Sequence, residues 1–242
     1  MLLNAQLISA KDCSLQDNCI DIWEFPLDEL PPLASSFLNE TELTRANRYY
    51  FDQHRRRFTV ARASLRLILG LYIKQEARQL TFSYNDHGKP KLDNLPTLEF
   101  NLSHSGELAL LAVGQNQPLG IDLEFFSERP YDGIAKNLFS PQELALFLPL
   151  PSWQKPQVFF HIWAQKEAFI KASGLGLAYP TALFTVPLYS PAHALVNDSV
   201  HHRDWLLESF MPKVGCNAAL CHHPEIQTIR YIRVDKAKEL FN

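Results

Sequence analysis

One order of elements occurs twice along this chain, and it limits the fold more than any other feature. Residues 54 to 74 (HRRRFTVARASLRLILGLYIK) set Phe58, Ala61, Leu65, Ile68, Leu69 and Tyr72 on a helical period. The second half of this segment is apolar nearly all round, so it is expected to be buried, while Arg55, Arg62 and Arg66 share one face. Three short runs of strand character follow, at 81 to 84 (TFSY), 98 to 102 (LEFNL) and 108 to 113 (LALLAV), separated by the turn-forming stretches NDHGKP and HSGE. A second helix at about 156 to 173 is again followed by strands, expected near 183 to 188, 205 to 210 and 216 to 221. The shared order and similar spacing suggest two related α+β halves, although no sequence identity between them is visible. Ahead of both, the first forty residues read as loop-rich around Pro26, Pro31 and Pro32, and 41 to 51 as a short helix with Thr41 at its N-cap.

Charge narrows the class of ligand. The 242 residues carry 23 Lys and Arg against 26 Asp and Glu, a net charge of −3, which gives the whole molecule no electrostatic reason to bind nucleic acid or anionic lipid. Between Arg45 and Arg66, however, seven arginines face one acid, Asp52, a local balance of +6. A basic patch on an acidic molecule suggests a small anionic ligand. The apolar run Leu108 to Val113 is far too short to span a bilayer. The opening MLLNAQLISAKDC lacks a basic stretch and an unbroken apolar core, so no secretory signal is read and the chain is expected in the cytoplasm. The four cysteines contain no C-x-x-C pair. With GCNAALC as a strand, Cys216 and Cys221 lie roughly 16 Å apart on opposite faces and cannot bridge. The run Cys221-His222-His223 matches no zinc spacing and reads as buried thiol beside a polar loop.

Three stretches carry chemistry. In PLGIDLE (118 to 124), strand alternation sends Leu119, Ile121 and Leu123 to one side, and Gly120, Asp122 and Glu124 to the other. The two carboxylates are close enough to share a cation, but read alone they fit a half-buried strand with a solvated acidic face better. In WAQKEAFIKASG, Trp163, Glu167 and Lys171 line one helix face and Gly174 stands where the helix should end. Glu167 and Lys171 are also spaced as an ordinary helix ion pair. In FNLSHSG (100 to 106), Asn101, Ser103 and Ser105 alternate with Leu102 and His104 at a strand-to-turn junction. Such groups either donate to phosphate oxygens or stabilise a turn. No G-x-S-x-G, P-loop or G-x-G-x-x-G occurs.

Taken in order, HGKP (87 to 90), FNLSHSG, LGIDLE (119 to 124), FSPQE (139 to 143) and WAQKEAFIKASGLGL (163 to 177) resemble the surfactin-synthetase type of 4′-phosphopantetheinyl transferase, over about Arg45 to Leu177. The resemblance implies an α+β fold of two pseudo-symmetric lobes, each a small antiparallel sheet packed with a long helix, with the active site between them. The lobes are expected at 1–117, contacting the phosphates and adenine of coenzyme A, and at 118–242, holding the metal and catalytic residues. The implied reaction moves phosphopantetheine from coenzyme A to a serine of an apo acyl, peptidyl or aryl carrier protein, releasing adenosine 3′,5′-bisphosphate. It implies Asp122, Glu124 and Glu167 as ligands of Mg²⁺ or Mn²⁺, with Glu167 or a metal-bound water as base and Lys171 on the leaving phosphate. It places Arg45, Ser103 and His104 at the 3′-phosphate, Lys89 and Pro90 beside adenine and phosphates, Arg57 and Arg62 among the basic contacts, and Lys166 against the phosphate or pantetheine. Trp163 is expected to be partly structural, and Glu143 to be an acid near the site. One departure is plain: where some relatives carry a base three residues before Arg45, this chain has Glu42. A monomer is expected, with no nucleic-acid or membrane partner. Two other classes fit parts of the pattern: a metal-dependent pyrophosphatase sharing the acidic triad, and a nucleic-acid surface on the arginine helix, against which the net charge speaks.

Overall fold

A computed structural model describes residues 5–189 and 193–241. Strands β1 (Gln6–Leu7) and β2 (Cys19–Pro26) precede helices α1 (Glu40–Asn47) and α2 (Asp52–Ile73), after which come β3 (Phe82–Tyr84), β4 (Pro90–Leu92), β5 (Leu98–Ser105) and β6 (Leu108–Gln115). The second run comprises β7 (Gly120–Phe125), α3 (Tyr131–Leu138), α4 (Pro141–Phe147), α5 (Lys155–Ser173), β8 (His193–Asp198), β9 (Arg203–Phe210), β10 (Cys216–His222) and β11 (Thr228–Arg233). A five-stranded sheet has the order β1-β11-β2-β6-β5, a four-stranded sheet the order β7-β10-β9-β8, and β3 and β4 form a separate ribbon.

Each long helix covers the outer face of one sheet. Val60, Leu65, Ile68 and Leu69 of α2 pack on Trp23, Phe25, Phe100 and Leu111. Phe159, Ile162, Phe169 and Ile170 of α5 pack on Trp205, Leu207, Ala219 and Cys221. The inner faces meet: Ile20, Ile22, Leu110 and Ala112 of the first sheet pack against Ile121, Leu123, Ala218 and Leu220 of the second. Strand alternation explains how β2, β6 and β10 each serve two cores at once. The chain is thus an α+β protein of two sheet-and-helix lobes, stacked helix, sheet, sheet, helix.

Several local expectations are corrected. The N-cap of α1 is Asn39, not Thr41, because Asn39 and Glu42 close a reciprocal capping box. No strand forms at 183 to 188. A 3-10 turn covers Thr181–Leu183, and the backbone beyond it bonds to side chains, with Val186 N donating to Glu143 Oε1 at 2.8 Å. The first strand after α5 is instead β8. The loop-rich opening contains the central strand β2, whose acids Asp21 and Glu24 hide its buried character. They are satisfied by Arg230 Nε and Tyr72 Oη at 2.5 Å each, and by Tyr231 Oη at 2.6 Å. Two of these partners lie on β11, which pairs parallel to β2. The final strand therefore returns to the first sheet, with Ile232, Val234 and Ala237 in the core under α2, so sheet membership does not follow a cut at 117/118. All four cysteines are free thiols, and Cys216 and Cys221 face different cores as their spacing requires. Among the described residues no helix is long and apolar enough to cross a membrane.

Candidate active site

The two lobes are joined along a seam in which side chains replace a backbone ladder. Strand β7 pairs with β10 on one edge, and its other edge faces β5, the outermost strand of the first sheet. There the amides of Ile121, Leu123 and Phe125 donate to Asn101 Oδ1 at 2.8 Å, Ser103 Oγ at 3.3 Å and Ser105 Oγ at 3.1 Å. Alternate residues of β5 thus satisfy alternate amides of β7, donors that would otherwise be buried without partners. This accounts for the alternation in FNLSHS, which serves the seam rather than a turn.

The same alternation on β7 turns Asp122 and Glu124 toward α5. Asp122 Oδ1 accepts from Ser103 Oγ at 2.8 Å and from Lys171 Nζ at 2.5 Å. Glu124 accepts from Trp163 Nε1 at 3.2 Å and from Ser105 Oγ at 3.5 Å. The Trp163, Glu167 and Lys171 face of α5 therefore closes on the two β7 carboxylates, and Lys171 pairs with Asp122 rather than with Glu167 one turn away. Gly120 permits this approach. A Cβ there would lie 2.1 Å from Ala168 O and 2.5 Å from Ala172 N on α5. The ribbon locks the register: Lys89 Nζ donates to Leu119 O and Ala172 O, and Asn85 Nδ2 to Gly174 O at 2.8 Å. Gly174 ends α5 in the left-handed conformation at φ 79°.

The carboxylates shift one another. Burial, then Asp122, with a further contribution from Glu124, pushes the Glu167 carboxyl up to about 7, against the opposing pull of Lys171. Burial and Asp122 likewise raise Glu124, partly offset by the Trp163 hydrogen bond. Asp122 Oδ2 is buried with no hydrogen-bond partner. Three carboxylates, one with a bare buried oxygen and two biased toward protonation by burial and by one another, are the oxygen donor set that a hard divalent cation takes. As the side chains stand, with Lys171 on Asp122, no three His, Cys, Asp or Glu among the described residues are drawn together as a cation cage.

Beside this cluster, α1, α2, the ribbon and β5 enclose a cleft of about 520 Å³ whose lining includes Arg45, Arg62, Tyr84, Pro90 and His104. His104 is exposed at the cleft. Desolvation by its surroundings, then the Lys171 and Arg57 cations, hold its imidazole below the usual range. Arg57 is not among the residues lining this cleft: it and Arg56 hold Glu107 Oε1 at 2.6 and 2.7 Å. Lys89 lines a neighbouring hollow of about 430 Å³, and burial pushes its ammonium pKa down. Ser103 is committed to the seam, where it also accepts from Lys171 Nζ at 3.1 Å.

Lys166 is placed elsewhere. One residue before Glu167, it points about 100° around the helix into the interior, where it is fully buried. Its Nζ donates to Thr181 O at 2.7 Å and Phe184 O at 2.9 Å, and pairs with Glu143 Oε2 at 3.0 Å. Glu143 is equally buried and closes the α4 capping box with Ser140. The expectation that Lys166 contacts the coenzyme, with Glu143 near the site, gives way to a buried ion pair tying α4 and α5 to the 181 to 186 segment. Sequence reasoning also gave no role to Tyr84. Its position in an exposed ribbon opposite the arginine helix is visible only once the chain is folded.

Residues 23–116 match the family model described as 4′-phosphopantetheinyl transferase, N-terminal, and residues 118–211 that of the 4′-phosphopantetheinyl transferase superfamily. The chain is 39% identical to the 4′-phosphopantetheinyl transferase HetI of Nostoc sp. over 221 residues, 82% of this chain and 92% of that protein. It is 29% identical to the 4′-phosphopantetheinyl transferase Sfp of Bacillus subtilis over 192 residues, 78% and 84% of the two chains. Similarity extends to the mouse L-aminoadipate-semialdehyde dehydrogenase-phosphopantetheinyl transferase, 27% identical over 165 residues, 61% of this chain and 52% of that one. The carboxylates and Lys171 lie where β7 meets α5, and the arginines line a cleft formed by α1, α2, the ribbon and β5. The chain belongs to the 4′-phosphopantetheinyl transferase family.

Proposed function

We propose that this enzyme moves the 4′-phosphopantetheine group of coenzyme A onto a serine of an apo acyl, peptidyl or aryl carrier protein, as a cytoplasmic monomer. The supporting observation is the convergence of Asp122, Glu124, Glu167 and Lys171 beside a cleft carrying Arg45 and His104. The serine oxygen forms a bond to the phosphorus bearing pantetheine. The pyrophosphate P–O bond breaks, and adenosine 3′,5′-bisphosphate leaves with the bonding electrons. The serine proton passes to a base. Glu167, whose carboxyl is pushed up to about 7 in the cation-free site, is the base that this chain itself offers.

Lys171 donates to the leaving phosphate, moving from Asp122 to do so. Arg45 and His104 bind the 3′-phosphate, Lys89 and Pro90 lie beside the adenine and phosphates, and Arg57 and Arg62 add positive potential. Ser103 positions Asp122 and Lys171 from the first lobe. Asp122, Glu124 and Glu167 would hold Mg²⁺ or Mn²⁺, which when bound neutralises charge developing on the pyrophosphate. The first lobe thus supplies most nucleotide contacts and the second the carboxylates.

The test is transfer of a labelled pantetheine arm from coenzyme A to an apo carrier, with and without Mg²⁺. Asp122→Ala and Glu167→Ala should abolish transfer while preserving the far-ultraviolet circular dichroism of the wild type. Full activity in both sinks the site, and release of phosphopantetheine to water without a carrier assigns a pyrophosphatase instead.

A further inference from the structure

An acid at position 42 is out of place in a cleft that takes a polyanion, and its surroundings explain it. Glu42 is 6% exposed. Its Oε2 accepts from Asn39 N at 2.9 Å and from Arg66 Nε at 2.8 Å, and its Oε1 accepts from Arg62 Nε. Burial works against its ionisation, but the two guanidinium groups and the Asn39 amide outweigh it and hold the carboxyl below its usual range. Glu42 is therefore an anion that lines the cleft with both oxygens already engaged, by the Asn39 amide and by the two α2 guanidinium groups.

The two arginines differ in what remains to them. Arg66 is fully buried, and its Nη1 donates to Ala77 O and Leu80 O, both at 3.0 Å. Arg62, one helical turn earlier, lines the cleft. Its guanidinium lies over the Phe82 ring at 4.3 Å from the centroid, and Nη2 donates to Tyr84 Oη at 3.2 Å. Because Tyr84 accepts that bond, its own hydroxyl hydrogen is available to a phosphate oxygen. Arg45, one turn after Glu42 on α1, lines the same cleft with its guanidinium over Phe58. One acid against two arginines leaves one positive charge, carried by the guanidinium at the cleft.

We infer that Glu42 is a positioning residue for nucleotide recognition: it anchors Arg62 beside Tyr84, so that Arg62 from α2 and Arg45 from α1 together read the 3′-phosphate. The inference rests on the reading of the cleft as the coenzyme A site. The pyrophosphate belongs with Lys171 and the carboxylates, which leaves the 3′-phosphate for the arginine wall. A guanidinium held on three sides loses little freedom on binding, which favours the ligand with the extra phosphate. The acid that departs from the basic pattern thereby supplies, through Arg62, the cation missing from its own position.

Adenosine 3′,5′-bisphosphate and adenosine 5′-monophosphate differ only in the 3′-phosphate, so calorimetric titration of both against the full-length protein isolates the effect. The wild type should prefer the bisphosphate by about tenfold or more. Arg62→Met and Glu42→Gln should each remove most of that preference, and Tyr84→Phe should remove part of it. If Glu42 acted only by its charge, Glu42→Gln would tighten bisphosphate binding; that result overturns the inference. So does an unchanged preference, or parallel loss of both ligands in variants that still melt cooperatively. Transfer from coenzyme A separates the two claims. Carrier modification by a wild type that uses 3′-dephospho-coenzyme A equally well defeats the inference alone, whereas the expected binding with no carrier modified defeats the transferase reading alone.

Discussion

Ser103 Oγ donates to Asp122 Oδ1 at 2.8 Å, so a hydroxyl from the first sheet holds a carboxylate of the second. The same hydroxyl accepts from Leu123 N and from Lys171 Nζ. Ser103→Ala strips a buried amide and a buried carboxylate of one partner each, and should cost about 1–3 kcal/mol. Urea denaturation would show it as a lower midpoint at unchanged m-value. Transfer should slow as well, because Lys171 and Asp122 lose their common anchor.

Burial, then the neighbouring Asp122 and Glu124 carboxylates, makes the charged form of Glu167 unfavourable in the fold. Glu167 titrates at about 7 in the fold, above its ordinary 4.5. Between those values the folded state binds more protons than the unfolded one, so the contribution of Glu167 to stability is fully present below pH 4.5 and is lost as pH rises through about 7. Glu167→Gln should flatten this slope and raise the melting temperature of chelator-treated protein above pH 7, while abolishing transfer. A melting temperature lower than wild type at pH 8 would contradict the repulsion.

The pair formed by Lys166 and Glu143 should behave as a structural tie. Both side chains are completely buried, 3.0 Å apart. Lys166→Met alone leaves an uncompensated buried carboxylate and should cost about 3–5 kcal/mol. Pairing it with Glu143→Leu should recover part of that loss in thermal denaturation, limited by the capping bonds that Glu143 also makes. A single substitution without effect on stability would return Lys166 to consideration as a ligand residue.

Gly120 sets the distance between β7 and α5. In Gly120→Ala the new methyl meets backbone atoms of α5 at 2.1 and 2.5 Å, so the helix must move. Overpacking of this kind costs about 1–3 kcal/mol. It should also separate Glu167 and Lys171 from Asp122 and Glu124, lowering kcat more than it raises the KM for coenzyme A.

What could be read in advance follows from how local each signal is. Alternation in PLGIDLE and helical spacing in WAQKEAFIKASG each turn their chemical residues to one face, and the fold brings those faces together. The α+β class with two lobes was legible for the same reason, as an order of periodic segments. Lys166 was not, because only Glu143 and the 181 to 186 carbonyls, remote in sequence, show which way it points. Strand β2 was missed because Asp21 and Glu24 break its apolar run, and their partners lie on α2 and β11. The serines of FNLSHS read as phosphate donors or turn stabilisers, and their work on the seam was hidden because the amides they satisfy belong to the other lobe.

The account stands or falls on group transfer. Intact-protein mass spectrometry of several apo carriers, each incubated with the enzyme, coenzyme A and Mg²⁺, measures it directly. The account predicts that at least one carrier gains the mass of a single phosphopantetheine, and that the gain vanishes when its acceptor serine is replaced by alanine. No mass gain on any carrier by folded enzyme, at coenzyme A concentrations that saturate binding, would contradict it.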